Sequence, residues 1–232
     1  MAGSSQQMLA GLAVAAYVAG SIPFGLIVGR MKGIDVRKAG SGNIGASNVG
    51  RLLGKRFFFL VFFLDMLKGL IPMMIAAAIA NRSGANSSLY AMVLLVGFAT
   101  IAGHMFSIFL RFKGGKGVAT SAGVILGLWP YYTLPGLVAI GTFIVVVYLT
   151  RYISVASMAA ACVFPVAYVS MGTMRGWDPF GRRLPLLVFA ILMAVMIVYK
   201  HRGNIARLRA GTENRVGSSK RANQTGEPPL AA

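Results

Sequence analysis

The sequence predicts an all-α integral membrane protein with seven transmembrane helices, its N-terminus outside and its C-terminus in the cytoplasm. Three observations predict this. Of 232 residues, 56% are hydrophobic and only 12% charged, against about 25% charged in an ordinary soluble domain. The apolar residues gather into runs of roughly 17–22, long enough to cross a ~30 Å hydrocarbon layer, and mean hydropathy is +0.71. Lys and Arg number 23 against 5 acids, and they crowd into alternate loops, as cytoplasmic retention of basic residues requires. A soluble enzyme with one hydrophobic core is excluded. So is chemistry built on carboxylate clusters, since the acids are only Asp35, Asp65, Asp178, Glu213 and Glu227.

The first run, Met8 to Val28, has no basic residue before it and so reads as a retained span rather than a secretory signal. Phe57–Ala80 and Leu89–Leu110 follow; Asp65 and Lys68, at i and i+3 in the second span, read as an intrahelical ion pair. Val118–Tyr132 and Leu134–Leu149 are short and joined around Trp129-Pro130 and Pro135-Gly136, and a re-entrant hairpin here would leave five crossings. Tyr152–Gly172, holding the single Cys162 as an inert packing residue, and Leu184–Lys200 complete the set. Residues 1–215 form a single membrane domain, and the Gly-, Ser-, Asn- and Pro-containing stretch 216–232 reads as a disordered cytoplasmic tail.

Arg30, Lys32, Arg37, Lys38, Arg51, Lys55 and Arg56 lie in the first loop, Arg111, Lys113 and Lys116 in the third, Arg151 in the fifth, and seven more in the tail. Only Arg82, Arg175, Arg182 and Arg183 fall on the other side. The unusual polar residues share the basic face. Gly40, Ser41, Gly42, Asn43, Gly45, Ser47, Asn48 and Arg51 precede the second span; closely spaced glycines let backbone amides turn toward an anion. The formal GxGxxG lacks a preceding strand and is no dinucleotide motif. His104 ends the third span, and Gly114-Gly115-Lys116-Gly117 opens the fourth, placing an ammonium among N–H groups; Leu110 and Gly117 break the Walker A pattern. His201, Asn204 and Leu208 share a face if helical, with Glu213 beyond, and Ser154 and Ser157 open the sixth span. Amide nests, cations, His and Asn on one face suit binding of a phosphorylated substrate and stabilisation of an oxyanion. A transporter for an organic phosphate is the alternative, but it calls for charges near mid-membrane and broken helices.

At these residues the sequence resembles the PlsY family, bacterial membrane acyltransferases that use acyl phosphate and glycerol 3-phosphate. The likeness runs from Gly20-Ser21-Ile22-Pro23 to Gly211-Thr212-Glu213, with segments 40–51, 103–120 and 201–213 in the family's order. Ser47 stands where Thr is expected and Arg215 where Lys is common. The resemblance implies a multi-pass protein of the bacterial inner membrane, its active site facing the cytoplasm, which acylates the 1-hydroxyl of glycerol 3-phosphate. Lysophosphatidic acid and inorganic phosphate would be the products, in the first step of phospholipid synthesis. Expected substrate-binding residues are Ser41, Gly42, Asn43, Gly45, Ser47, Asn48, Arg51, Gly115, Lys116, Gly117, Ser154 and Glu213. Expected catalytic residues are His201, His104 and Asn204, with either His, or the donor's own phosphate, as proton acceptor. Residue Phe109, five after His104, rules out the HxxxxD signature of acyltransferases using acyl-CoA or acyl carrier protein. Partners are glycerol 3-phosphate, acyl phosphate and membrane lipid, with a functional link to the enzyme that makes acyl phosphate from acyl carrier protein. No nucleic acid, cofactor or metal is expected.

Overall fold

The computed structural model describes residues 2–83 and 87–217. Most of the predicted tail, residues 218–232, therefore lies outside the described residues. The helices are α1 (Ala2–Ser21), α2 (Phe24–Met31), α3 (Ala46–Leu53), α4 (Lys55–Arg82), α5 (Ser87–Met105), α6 (Val118–Gly127), α7 (Thr133–Thr150), α8 (Ile153–Met174), α9 (Leu184–Lys200) and α10 (Arg202–Arg209). No strand occurs among the described residues.

Five stretches are long and apolar enough to cross a membrane: Gly3–Met31, Lys55–Arg82, Ser88–Leu110, Thr133–Thr150 and Ile153–Met174. A sixth is added if α9 and α10, bent by 51°, count as one. Two predicted spans look different from their hydropathy. The first is broken at Ile22-Pro23, because proline has no N–H to donate and its ring clashes with the preceding turn. The fourth, Val118–Tyr132, is helical only through α6, whose 10 residues rise about 15 Å, half the hydrocarbon thickness. Cys162, expected inside the packing, is exposed on α8.

Small residues set the close helix pairs. A Cβ on Gly20 of α1 would lie 2.2 Å from the Thr100 carbonyl oxygen of α5, and one on Gly103 of α5 would lie 2.2 Å from that of Tyr17. Likewise Gly69 of α4 faces the Thr120 carbonyl at 2.2 Å, and Gly123 of α6 faces that of Met66 at 2.0 Å. Where lipid removes the hydrophobic drive between helices, such backbone contact supplies the association. The main core gathers Tyr132, Phe164, Tyr168 and Phe189, with the Tyr132 hydroxyl donating to the Leu186 carbonyl at 2.5 Å. A second core joins Leu26, Val36, Ile44, Val49 and Val61, which fixes α3 on α4. Large apolar side chains such as Phe59, Phe63, Ile144 and Val195 point outward, the surface a lipid-embedded bundle requires.

Candidate active site

The loops predicted to share a face meet at one end of the bundle. A cavity of about 300 Å³ opens there, lined by Asn43, Gly114, Gly115, Lys116, Lys200, Arg202 and Gly203. Behind it runs a hydrogen-bonded chain drawn from three elements. Lys116 Nζ donates to Asn204 Oδ1. Asn204 Nδ2 donates to Glu213 Oε1 at 2.6 Å, where Ser154 Oγ also donates at 2.8 Å. Arg207 Nε donates to the second carboxylate oxygen, Oε2, at 2.8 Å. The helix predicted from His201 onward is α10: His201 is its N-cap, Asn204 is buried, and Arg207 follows at i+3.

This arrangement fixes charge states. Burial works against the Glu213 carboxylate, but the bonds from Asn204, Ser154 and Arg207 prevail and hold it below its ordinary range. It is an ionised organiser, already occupied by donors, and a poor proton acceptor. Burial pushes the Lys116 ammonium down to about 8, with Arg207 and Arg51 adding repulsion and Glu213 opposing them. Arg51 is likewise lowered, first by burial and then by Arg207. Cations outnumber carboxylates here, so the site favours an anion.

The glycine-rich segment works differently from its sequence. Gly42 N–H donates to Ala39 O, Gly45 N–H to Asn43 Oδ1 and Ser41 N–H to Asn48 Oδ1. These amides shape the loop and are not turned toward a ligand. Asn48, expected to bind substrate, is 1% exposed; its amide donates to Val36, Ala39 and Asn43 carbonyls at 2.8, 3.1 and 2.9 Å. It is the loop's internal brace. Gly40 and Gly42 take positive φ, 61° and 69°, which a side chain would oppose. In the second segment the Gly114 and Gly115 amides donate to the Met105 and His104 carbonyls, tying the Lys116 loop to the end of α5. Gly117, at φ 80°, turns the chain into α6. Ser47 is half-buried in the first turn of α3, and Arg51 is exposed, reaching back toward Asn48 Oδ1 at 3.5 Å.

The two histidines part company. His201 is buried beside Lys116, with Nδ1 at 2.7 Å from the Ile197 carbonyl. A carbonyl only accepts, so Nδ1 carries the proton and Nε2 is the accepting nitrogen. His104 lies beneath Gly115, against Asp65, and neither ring is among the residues that line the cavity. Lys200, Arg202, Gly203, Gly114 and Arg207 were not expected as site residues. Arg207 alone had a legible signal, its i+3 spacing from Asn204. Among the described residues no three His, Cys, Asp or Glu side chains cluster as a metal would need.

Next to this polar end lies an apolar slot of about 260 Å³ between α4, α6, α7, α8 and α9, lined by Val118, Ile125, Phe143, Phe164 and Ile197 among others. Val118 is two residues past Lys116, and Ile197 is one turn before His201. A polar anion site thus adjoins a greasy slot within the bundle.

Comparison with known proteins gives the family. The glycerol-3-phosphate acyltransferase family model matches residues 10–211. Glycerol-3-phosphate acyltransferase of Geobacter sulfurreducens is 44% identical over 88% of this chain and 95% of its own. That of Aquifex aeolicus is 41% identical over 88% and 97%. Two crystal structures of PlsY, an integral membrane glycerol 3-phosphate acyltransferase, are 38% identical to this chain and cover 90% of it and 96% of their own. The glycerol 3-phosphate form superposes with a TM-score of 0.77 and the lysophosphatidic acid form with 0.75. The chain belongs to the glycerol-3-phosphate acyltransferase family and is an integral membrane enzyme of the PlsY kind.

Proposed function

We propose that this acyltransferase takes its acyl group from acyl phosphate and attaches it to the 1-hydroxyl of glycerol 3-phosphate, releasing lysophosphatidic acid and inorganic phosphate. One observation carries the reading: Lys116 and Lys200 of the cation-rich cavity stand two and three residues along the chain from Val118 and Ile197 of the apolar slot. A molecule with a phosphate at one end and a long chain at the other fits both. Lys116 and Arg51, with Ser41 and Asn43 on the facing loop, hold the phosphates, and the acyl chain lies along α6.

An acyl phosphate is a mixed anhydride, so the protein's contribution is positioning and oxyanion stabilisation. The glycerol hydroxyl oxygen attacks the acyl carbonyl carbon, the carbon–oxygen bond to phosphate breaks, and phosphate leaves with the electron pair. The hydroxyl proton passes to His201 Nε2 or to the departing phosphate. Asn204 and Glu213 steer Lys116 rather than exchange protons. Turnover near normal in His201→Ala at saturating substrate would remove His201 from the base role.

The site faces the cytoplasm of a bacterial inner membrane, and the chain crosses seven times, N-terminus outside. Supporting this, α6 leads from the Lys116 loop into the 128–132 turn, where the Tyr131 ring packs at 5.2 Å on Trp177 in the α8–α9 loop, while Val216 returns to Arg151 at the site end. The donor's supplier is then the enzyme that phosphorolyses acyl carrier protein thioesters.

The test is product formation by detergent-solubilised protein given labelled glycerol 3-phosphate and palmitoyl phosphate, palmitoyl-CoA or palmitoyl-acyl carrier protein. Labelled lysophosphatidic acid from acyl phosphate alone, lost in Lys116→Ala, is expected. Turnover only with a thioester donor overturns the assignment.

A further inference from the structure

Three buried ionisable side chains lie outside the cavity and take no part in the chemistry above. Asp65, Lys68 and His104 are 3%, 7% and 4% exposed. They meet where the first span breaks. Lys68 Nζ is 2.8 Å from Asp65 Oδ1 and donates to the Ile22 carbonyl at 2.9 Å. Ser107 Oγ donates to the neighbouring Ser21 carbonyl at 2.6 Å. The break at Pro23 leaves these carbonyls without helical partners, and buried carbonyls need partners. His104 Nδ1 is 3.7 Å from the same Asp65 oxygen.

The other edge of the His104 ring supports the lysine loop. A Cβ on Gly115 would sit 2.2 Å from His104 Nε2, so the ring lies directly against the Gly115 backbone. The His104 carbonyl receives the Gly115 amide at 3.0 Å, and the Met105 carbonyl receives both the Gly114 amide at 3.2 Å and Lys200 Nζ at 2.8 Å. One peptide unit separates this support from Lys116. A purely space-filling role does not account for charge at these positions, because apolar residues of similar volume commonly serve stability as well as a buried ion pair or better.

We propose that Asp65, Lys68 and His104 are positioning residues for the acyl transfer. The ion pair locks the joint between α1 and α2 and orients the imidazole; the imidazole sets the Gly114–Lys116 loop, and so the place where the ammonium meets substrate phosphate. The inference rests on the reading that Lys116 binds phosphate. A misplacement on the order of 1 Å costs about 10²-fold in such a site.

The test compares Asp65→Asn/Lys68→Met, which removes both charges together, His104→Gln, Asp65→Glu and Lys116→Ala. KM and kcat for both substrates and thermal melting in detergent are measured on each. The double variant and His104→Gln are expected to melt near the wild type but to raise KM for a phosphorylated substrate about tenfold or more, with kcat at saturation changed less than about threefold. Asp65→Glu, which keeps the charge, recovers part of that loss. Lowered melting with unchanged KM and kcat shows a merely structural role and overturns the proposal. If the double variant fails to fold, His104→Gln and Asp65→Glu decide by the same criteria. A KM unchanged in Lys116→Ala overturns the phosphate reading itself; a KM raised there but unchanged in the joint variants overturns the positioning role alone.

Discussion

Under the proposed role, Lys116 holds a phosphate only while it carries its proton. Its ammonium is held at about 8 by burial and by Arg207 and Arg51, so the empty site is competent below that pH and loses competence as pH rises through it. Glycerol 3-phosphate is already a dianion above about pH 7, so the substrate does not reverse the trend. kcat/KM is therefore expected to be level from pH 7 to 7.5 and to fall toward tenfold per unit above 8. Bound phosphate favours the protonated amine, so the fall in kcat comes at higher pH than the fall in kcat/KM. Lys116→Arg, charged throughout this range, flattens the limb even if it lowers the maximum. A steady-state pH series on both proteins checks this; an unshifted limb in Lys116→Arg assigns the titration elsewhere. Asn48 makes a different prediction. Its amide holds three carbonyls, and each buried carbonyl left unpaired costs about 1–3 kcal/mol. The Ala39 carbonyl keeps the Gly42 amide, so Asn48→Asp, nearly the same size, leaves two carbonyls unpaired and should destabilise by at least about 2 kcal/mol and lower melting in detergent. Lys116 and Asn204 were legible because a lysine among glycines and an amide one turn from His201 gather on the basic face, whereas Glu213 and Ser154 entered through the family resemblance. The sequence did not show that Asn48 and the Gly42 and Gly45 amides are engaged within the loop, since a residue type says what can bond but not with whom.

At the scale of elements, α6 determines whether the site is assembled. It is short, yet it carries Lys116 at its entrance, one wall of the apolar slot, and the close pairing with α4 through Gly69 and Gly123. A side chain at Gly123 meets the Met66 carbonyl and the Leu70 amide, which are backbone and cannot rotate away. Overpacking of a helix interface costs about 1–3 kcal/mol where side chains can yield, and here they cannot. Gly123→Leu is expected to lower melting and to reduce kcat/KM at least about 10²-fold, because α6 moves with Lys116 attached. Gly141, which has open space around it, supplies the control: Gly141→Leu keeps kcat/KM within about twofold. Equal kcat/KM for the two variants removes α6 packing as a determinant. The apolar runs made most helices legible, but hydropathy is blind to two features. Ile22-Pro23 is as apolar as its surroundings, so the break in the first span leaves the run intact. Residues 128–132 are apolar yet form a turn, so a run of spanning length yields a helix of only 10 residues.

At the scale of the whole molecule the open contest is between seven crossings and five, and it turns on α6 and α7. The charge pattern alone cannot decide, because Lys116 and Arg151 lie on the same side whether the hairpin crosses or turns back. Contacts discriminate better. Tyr131, between α6 and α7, packs on Trp177 and accepts a hydrogen bond from Arg183 Nη2 at 2.8 Å, and Tyr90 near the start of α5 meets it edge to face at 6.2 Å. Those partners sit at the ends of spans opposite the Lys116 cavity, so a crossing hairpin puts Trp129 outside with them. A re-entrant one leaves it on the cytoplasmic side. Replacing Cys162 by Ser leaves a protein without cysteine, into which single cysteines can be placed at exposed positions. In intact spheroplasts a membrane-impermeant maleimide should label Phe180→Cys, Gly3→Cys and Trp129→Cys. Lys113→Cys and Arg209→Cys should react only after lysis. Labelling of Trp129→Cys only after lysis, with Phe180→Cys still reactive from outside, would leave five crossings, with the termini on opposite sides. Reversal of every site would overturn the charge-based orientation and move the cation-rich cavity away from the compartment where acyl phosphate is made.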